Sequence, residues 1–244
     1  MSTDQAAIEC TLQGLFNPAG YEVYPFKIGW YNNNVGERFK FQYPDDTLAY
    51  IIISTPSMFD KALKPYIQKL NCVGTRDPVD QCVAHYFNQV KEIYGADNIE
   101  AIHDFEMTHG RRPKVLVQTA GHVAGAAYYY QRKDVVDSPW PEEKQIYGVS
   151  VHPVYGGWFA LRGVLIFKHL QCPGLERKEP PDVVPSREDR ITLLERFNGN
   201  WQDWTFRDII EVKEKYSEEQ KLYFATAPKD RNELIQKYLC EGKG

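Results

Sequence analysis

The feature that most limits what this chain can fold into is Leu48–Ile53, the longest uninterrupted apolar run in its 244 residues. Six residues cannot cross a bilayer as a helix, which takes about 20. β-branched and aromatic side chains in a short run bounded by Asp45 and Asp46 before and Pro56 after favour a strand through Ser54. Tyr21–Tyr31 has a similar composition and reads as a second strand. Strand-like runs recur at 99–106, 114–118, 146–152 and 157–167, separated by polar or glycine-containing segments.

Helical spacing appears on either side of these runs. Ile8, Leu12, Leu15 and Phe16 form an apolar stripe that Asn17, Pro18 and Gly20 end. Thr55–Pro56 and Asp77–Pro78 read as the caps and first turns of two further helices. The second places Val79, Cys82, Val83, Tyr86, Phe87, Val90 and Ile93 on one stripe. After a proline- and charge-rich loop ending at Pro185, Ser186 with Asp189 and Ser217 with Gln220 read as capping boxes, so the region of about 186–241 is expected to be helical. Strands in the middle and helices on the flanks, without regular alternation, favour an α+β sheet over a doubly wound one. With 43% hydrophobic residues, one domain over 1–244 is expected.

A net charge of −4 argues against a phosphate-binding face, and Arg111, Arg112 and Lys114 are too short a cluster to reverse that. Cys10, Cys72, Cys82, Cys172 and Cys240 are odd in number and without a repeated spacing, which reads as reduced thiols in the cytosol. No Lys or Arg precedes Lys27, unlike secretory or mitochondrial leaders. The phosphate-loop, dinucleotide, zincin and serine-hydrolase motifs are missing. Cys72, Cys82 and His85 have too wide a first gap and no fourth ligand for zinc, and read as core cysteines beside a helix surface.

Three features are open to a functional reading. A helix over Thr119–Gln131 would put His122, Ala126, Tyr129 and Tyr130 on one face beside small Gly121 and Ala124–Ala127. Either this is an ordinary helix packed closely on a sheet, or the small-residue surface and the Tyr-Tyr-Tyr-Gln run receive a flat, amide-edged macrocycle. Gly156 and Gly157 permit either a simple strand-entry turn or close approach of a ligand. Strand alternation puts Arg162 among Trp158, Ala160, Val164 and Ile166, so it needs a partner, whether a carboxylate such as Asp104 or an anionic ligand.

The run His122-Val-Ala-Gly-Ala-Ala-Tyr-Tyr-Tyr-Gln-Arg resembles the MMACHC (CblC) family of cobalamin-processing proteins. So do Gly20-Tyr-Glu-Val-Tyr-Pro-Phe, Asp77-Pro-Val-Asp-Gln-Cys-Val-Ala, Arg111-Arg-Pro-Lys, His152-Pro, Gly156-Gly-Trp-Phe-Ala, Asp203-Trp-Thr-Phe-Arg-Asp and Tyr216-Ser-Glu-Glu-Gln-Lys, which together span nearly the whole chain. The resemblance implies a fold similar to flavin-dependent nitroreductases, with a mixed or antiparallel sheet flanked by helices. It also implies an enzyme that holds cobalamin base-off and removes its upper axial ligand. Reduced FMN or FAD, with NADPH as electron source, would serve decyanation, and glutathione would serve dealkylation.

Carried over by position, the resemblance puts cobalamin contacts at Asp104, Val115, Leu116, Val117, Gln118, Tyr129, Tyr130, Gln131, Ser150 and Leu161. The cobalamin-motif positions are His122, Gly125, Gly156 and Gly157, and the glutathione contacts are Arg162, Arg207 and Arg231. No protein side chain is expected to act as nucleophile or to hold a metal directly. The better-known DxHxxG motif is not matched, because Ala120 stands two before His122, so no carboxylate there orients the imidazole. A B12-trafficking partner resembling MMADHC is implied, and the chain is expected to be a monomer or a ligand-induced homodimer. The rival readings are a non-catalytic cobalamin escort and a flavin-only reductase on the same scaffold.

Overall fold

The structure, a computed structural model, describes residues 3–70 and 77–241, so Cys72 lies outside the described residues. The chain opens with helix α1 (Thr3–Phe16) and turns at Gly20 into strand β1 (Tyr21–Lys27). Gly20 has φ +79°, and a Cβ there would lie 2.4 Å from the Met58 nitrogen, so the turn needs glycine. The strand expected to reach Tyr31 stops at Lys27, and α2 (Ile28–Asn32) follows. Gly29 lies against Asp45, its N–H bonded to the Asp45 carbonyl at 2.8 Å, which turns the chain out of the sheet.

Strand β2 (Thr47–Ser54) is buried at every residue, because it is central and both of its faces are covered. Leu48, Tyr50 and Ile52 enter one apolar cluster, and Ala49, Ile51 and Ile53 enter another on the opposite face. That two-sided burial explains the uninterrupted run. The helix expected from Thr55 begins later, as a π-helical turn (Phe59–Leu63) leading into α3 (Lys64–Leu70), because the Thr55 hydroxyl bonds the Gly20 carbonyl instead of capping.

Asp77 caps α4 (Pro78–Tyr94) by accepting from the Val79 N–H at 3.0 Å. Its stripe is buried at Val79, Cys82, Val83, Phe87 and Val90, half-buried at Tyr86, and open at Ile93, which is 54% exposed. Next come β3 (Ile99–His103), α5 (Val117–Val123), β4 (Tyr128–Tyr130), β5 (Val149–Val151) and β6 (Ala160–Gln171). The strand expected at 114–118 is absent, since Val117 already starts α5. The helix expected over Thr119–Gln131 ends at Val123, and the tyrosine run forms β4. Gly125 breaks it: its φ is +76°, and a Cβ there would lie 2.5 Å from the Lys178 carbonyl oxygen.

The main sheet has the order β1-β2-β6-β3, with every pair antiparallel. β4 and β5 form a separate two-stranded sheet. Ser186 and Ser217 cap α6 (Arg187–Asn200) and α7 (Glu218–Ala225), and α8 (Asn232–Glu241) follows. Tyr223, Ile235, Tyr238 and Leu239 of the last two helices pack into the same apolar cluster as α1, α3 and α4, while α2 and α5 cover the opposite face. None of the described helices is long and apolar enough to cross a membrane.

Candidate functional site

Two cavities that share Gln118 form around the start of α5, one of them reaching the start of β6. The Tyr31 hydroxyl accepts the Leu116 N–H at 3.0 Å, holding the start of α5. Gly121 lets the helix lie directly on the strand, since a Cβ there would come within 2.9 Å of Leu161 Cδ2. Leu116, Gln118, Tyr129 and Gln131 face the loop Asn34–Phe39 across a cleft of about 570 Å³. Gln118 also borders a second cavity of about 160 Å³, lined by Ser150, Gly157, Phe159, Leu161 and Arg207. The ring of Tyr129 packs against Gly148 on this wall, where a Cβ would lie 2.6 Å from it.

Ser150 Oγ and Arg207 Nε are buried without a hydrogen-bond partner. Leaving such groups unpaired costs roughly 1–3 kcal/mol each. Two such atoms on residues that line one cavity fit a ligand carrying polar edge groups.

The Gly156–Gly157 pair lies in the turn that leads into β6 and also admits a neighbouring chain segment. Added Cβ atoms would lie 2.7 Å from the Arg207 carbonyl oxygen and 2.7 Å from Arg207 Cα, so these glycines admit the backbone of another chain segment. Gly157 N–H donates to the Arg207 carbonyl at 3.0 Å, and Arg207 Nη1 donates back to the Gly157 carbonyl. The rings of Trp158, Trp204, Phe206 and Tyr216 surround this guanidinium at 5.1–5.7 Å.

The turn carrying the glycines is braced by a network the sequence did not announce. His152 Nδ1 accepts the Val154 N–H at 3.1 Å, so Nε2 keeps its proton and donates to the Tyr24 hydroxyl at 3.0 Å. Tyr24 in turn donates to Glu22 Oε2, and Tyr155 donates to Oε1 at 2.6 Å. Burial alone would raise the Glu22 carboxyl, but the imidazole and the two hydroxyls prevail and lower it from 4.5 to about 2.

Arg162 lies on the other face of the sheet. Its alternation with Val164 and Ile166 fails because β6 carries a bulge: Ile53 pairs with Leu161 and Ile52 with Gly163, skipping Arg162, and Gly163 takes φ +136°. Leu161 therefore keeps to the α5 side, while Arg162 turns to the α4 side and donates from Nε to Ser54 Oγ at 2.8 Å. Arg162 is only 9% exposed, and its two Nη groups make no hydrogen bond or ion pair with any described residue. Of the two partners left open for Arg162, the Asp104 carboxylate forms no ion pair with it; instead the Asp104 N–H donates to the Arg162 carbonyl at 3.3 Å.

Asp80, in the first turn of α4, lies within the electrostatic reach of Arg162 and Arg231. Burial, then Asp77 and Asp104, raise its carboxyl to about 6 against the pull of the two arginines. Arg231 is 7% exposed, donates from Nε to the carbonyls of Tyr223 and Thr226, and holds Nη1 3.7 Å from Asp77 Oδ2.

The sequence model of the Methylmalonic aciduria and homocystinuria type C family, MMACHC, matches residues 20–235. The chain belongs to this family. It is 57% identical over 224 residues to a Gallus gallus protein named cyanocobalamin reductase / alkylcobalamin dealkylase, covering 92% of this chain and 94% of that one. The Homo sapiens protein of the same name is 48% identical over 235 residues, covering 96% of this chain and 83% of its own length. The crystal structure of a Caenorhabditis elegans B12-trafficking protein, CblC, superposes with a TM-score of 0.87 at 34% identity, covering 98% of each chain.

Of the positions carried over from the MMACHC resemblance, Leu116, Gln118, Tyr129, Gln131, Ser150, Gly157, Leu161 and Arg207 line one or other of the two cavities. Val115 is buried in the cluster beneath α5, and Val117 packs against that cluster. The Tyr130 ring is fully buried, its hydroxyl donating to Asp182 and accepting from the Val184 N–H, so its side chain is committed to the core. Asp104 stands beside Arg162 rather than at the cavities. Gly125 borders a separate cleft of about 470 Å³ with Tyr24 and Lys178, and Gly156 packs on Arg207.

His122 is half-buried, and its Nδ1 accepts the Tyr129 N–H at 3.1 Å. Burial lowers its pKa, so the ring is neutral with its proton on Nε2. Of the three arginines, Arg162 and Arg231 flank Asp80, whereas Arg207 lines the smaller cavity. Sequence reasoning missed Asp80, the Asn34–Phe39 loop and the Glu22 network. An acid in a first helical turn and a polar loop carry no signal of their own, and only the pairing of Glu22 with a distant His152 marks that site. Among the described residues, no group of three or more His, Cys, Asp or Glu is placed to hold a metal.

Proposed function

We propose that this chain is a cytosolic cobalamin-processing enzyme, a cyanocobalamin reductase and alkylcobalamin dealkylase like its named relatives. The observation that carries the reading is the convergence of Gln118, Tyr129, Ser150 and Leu161 on two cavities that share Gln118. Side-chain and main-chain donors on these walls suit the amide rim of a corrin, and the apolar faces of Leu116, Phe159 and Leu161 suit its flat ring.

Cobalamin is bound base-off. The enzyme's share in dealkylation is to hold glutathione over the upper face, so that its thiolate attacks the cobalt-bound carbon. A sulfur–carbon bond forms, the carbon–cobalt bond breaks, and the electron pair stays on cobalt as cob(I)alamin. Arg162, Arg207 and Arg231 supply guanidinium groups for the two glutathione carboxylates. For cyanocobalamin, reduced FMN or FAD, replenished by NADPH, supplies electrons as a co-substrate on a nitroreductase-like scaffold. The product passes to an MMADHC-like trafficking protein, and the chain works as a monomer or a ligand-induced dimer.

His122 stands behind Tyr129, a cavity-lining residue, and does not ligate cobalt on this reading. An imidazole whose Nδ1 accepts a backbone N–H keeps its proton on Nε2 and has no free lone pair to offer.

Absorbance titration with hydroxocobalamin tests the binding site, and a spectral shift with one equivalent bound is expected. Single-turnover reaction of methylcobalamin with glutathione tests the chemistry, since an escort leaves the spectrum unchanged. Arg162→Ala is expected to cripple dealkylation and spare cobalamin binding; equal loss of both refutes the role given to this arginine.

A further inference from the structure

Resting on the glutathione reading above, we infer that Asp80 is the residue that recognises the α-ammonium of the tripeptide's γ-glutamyl end, making the arginine side of the site selective for a zwitterion over a plain dianion. The charges on this side are of both signs, and among the described residues Arg231 and Asp77 pair, at 3.7 Å, while Arg162 and Asp80 do not. Arg162 is nine-tenths buried with both Nη groups unpaired among the described residues. Asp80 is partly buried and likewise makes no hydrogen bond or ion pair with a described residue, although Arg162 and Arg231 are its electrostatic neighbours.

A carboxylate that served only to neutralise these arginines would close onto them, as the Asp182 carboxylate does on Arg190 elsewhere in the fold. Here Asp80 closes onto neither arginine: Arg162 gives only Nε to Ser54, Arg231 gives Nε to the Tyr223 and Thr226 carbonyls and pairs with Asp77, and Asp77 also caps α4. Asp80 is thus the acid of that first turn whose acceptors meet no donor among the described residues. A ligand bringing only carboxylates would pair the arginines and leave Asp80 desolvated beside like charge, which raises the cost of binding. A ligand bringing an ammonium next to a carboxylate satisfies both signs at once. The γ-glutamyl end carries these two groups on one carbon. Asp80 and Arg162, set on a helix and a strand on the same face of the sheet, present the complementary pair. Asp80 is a binding residue on this reading and takes no part in the bond exchange.

Calorimetric titration of the whole chain with glutathione and with glutaryl-cysteinyl-glycine, the same tripeptide without the α-amino group, tests the inference. The unmodified chain is expected to prefer glutathione by about tenfold or more, the range of a charge-assisted hydrogen bond. Asp80→Asn is expected to weaken glutathione by a similar factor and to hold the glutaryl analogue at least as tightly, which also shows that the variant is folded. Arg162→Ala is expected to weaken both ligands. If Asp80→Asn keeps the unmodified chain's ratio of affinities while Arg162→Ala weakens both, the glutathione site stands and the assignment of Asp80 falls. If the unmodified chain binds neither tripeptide, the glutathione reading and this inference fall together.

Discussion

Glu22→Gln is the perturbation whose size the structure sets most directly. The carboxylate takes hydrogen bonds from Tyr24 and Tyr155, with the His152 imidazole 3.6 Å away. Its pKa falls to about 2 in the folded chain from the ordinary 4.5. Each tenfold change in proton affinity is worth about 1.4 kcal/mol, so the network favours the anion by about 3 kcal/mol. The side chain is 30% exposed, and solvent screening reduces the figure to about 2 kcal/mol. A folded pKa below the unfolded one stabilises above the unfolded value, and the stabilisation fades as pH falls from about 4.5 towards 2. Glutamine offers one acceptor where two hydroxyls need one, and its amide faces a Tyr24 oxygen already engaged by His152. Urea unfolding followed by tryptophan fluorescence is expected to show the variant about 2 kcal/mol less stable at pH 7, with that gap narrowing by about 1 kcal/mol at pH 3.5. A gap that stays constant between the two pH values, or no gap at pH 7, refutes the reasoning.

Gly156→Ala forces a side chain onto φ +57° and against the Arg207 carbonyl; a loss of about 1–3 kcal/mol is expected in urea unfolding, with weaker cobalamin binding because Arg207 is displaced. Asp77→Ala removes the α4 cap and the partner of Arg231, and is expected to lower stability by about 1 kcal/mol in the same assay. Bound cob(II)alamin is expected to give an electron paramagnetic resonance spectrum without nitrogen splitting, since His122 Nδ1 is occupied by the Tyr129 N–H; a nitrogen-split signal lost in His122→Ala would overturn that.

What was legible in the sequence is what local chemistry decides. The six apolar residues of β2, the Asp77 cap and the serine caps of α6 and α7 were all readable, because each depends on neighbours within a few positions. The breaks depend on distant chain. Thr119–Gln131 has helical spacing, but Lys178 presses its carbonyl against Gly125 and ends the helix there. Tyr21–Tyr31 has strand composition, but Asp45 captures Gly29 and turns the chain away. At the site, the resemblance pointed to residues that the fold does gather around Gln118. It could not say that Gly156 and Gly157 make room for Arg207, since that close approach joins segments 50 residues apart.

The bulge at Arg162 shows why the two halves of the site are neighbours at all. In a regular β6 the arginine would fall among Val164 and Ile166, burying a cation in an apolar cluster with no acceptor, at a cost of several kcal/mol. Skipping one residue of register sends it instead to Ser54 and the charged end of α4, while Leu161, its immediate neighbour, stays on the α5 side as a cavity wall. Consecutive residues of one strand therefore face opposite sides of the same sheet end. Gly163, with its φ of +136°, makes that geometry available, because its missing Cβ would otherwise lie 2.3 Å from the Ile102 carbonyl oxygen. Substitution there would move the Arg162 contact and the Leu161 wall together, which separates a positional role from loss of either contact alone.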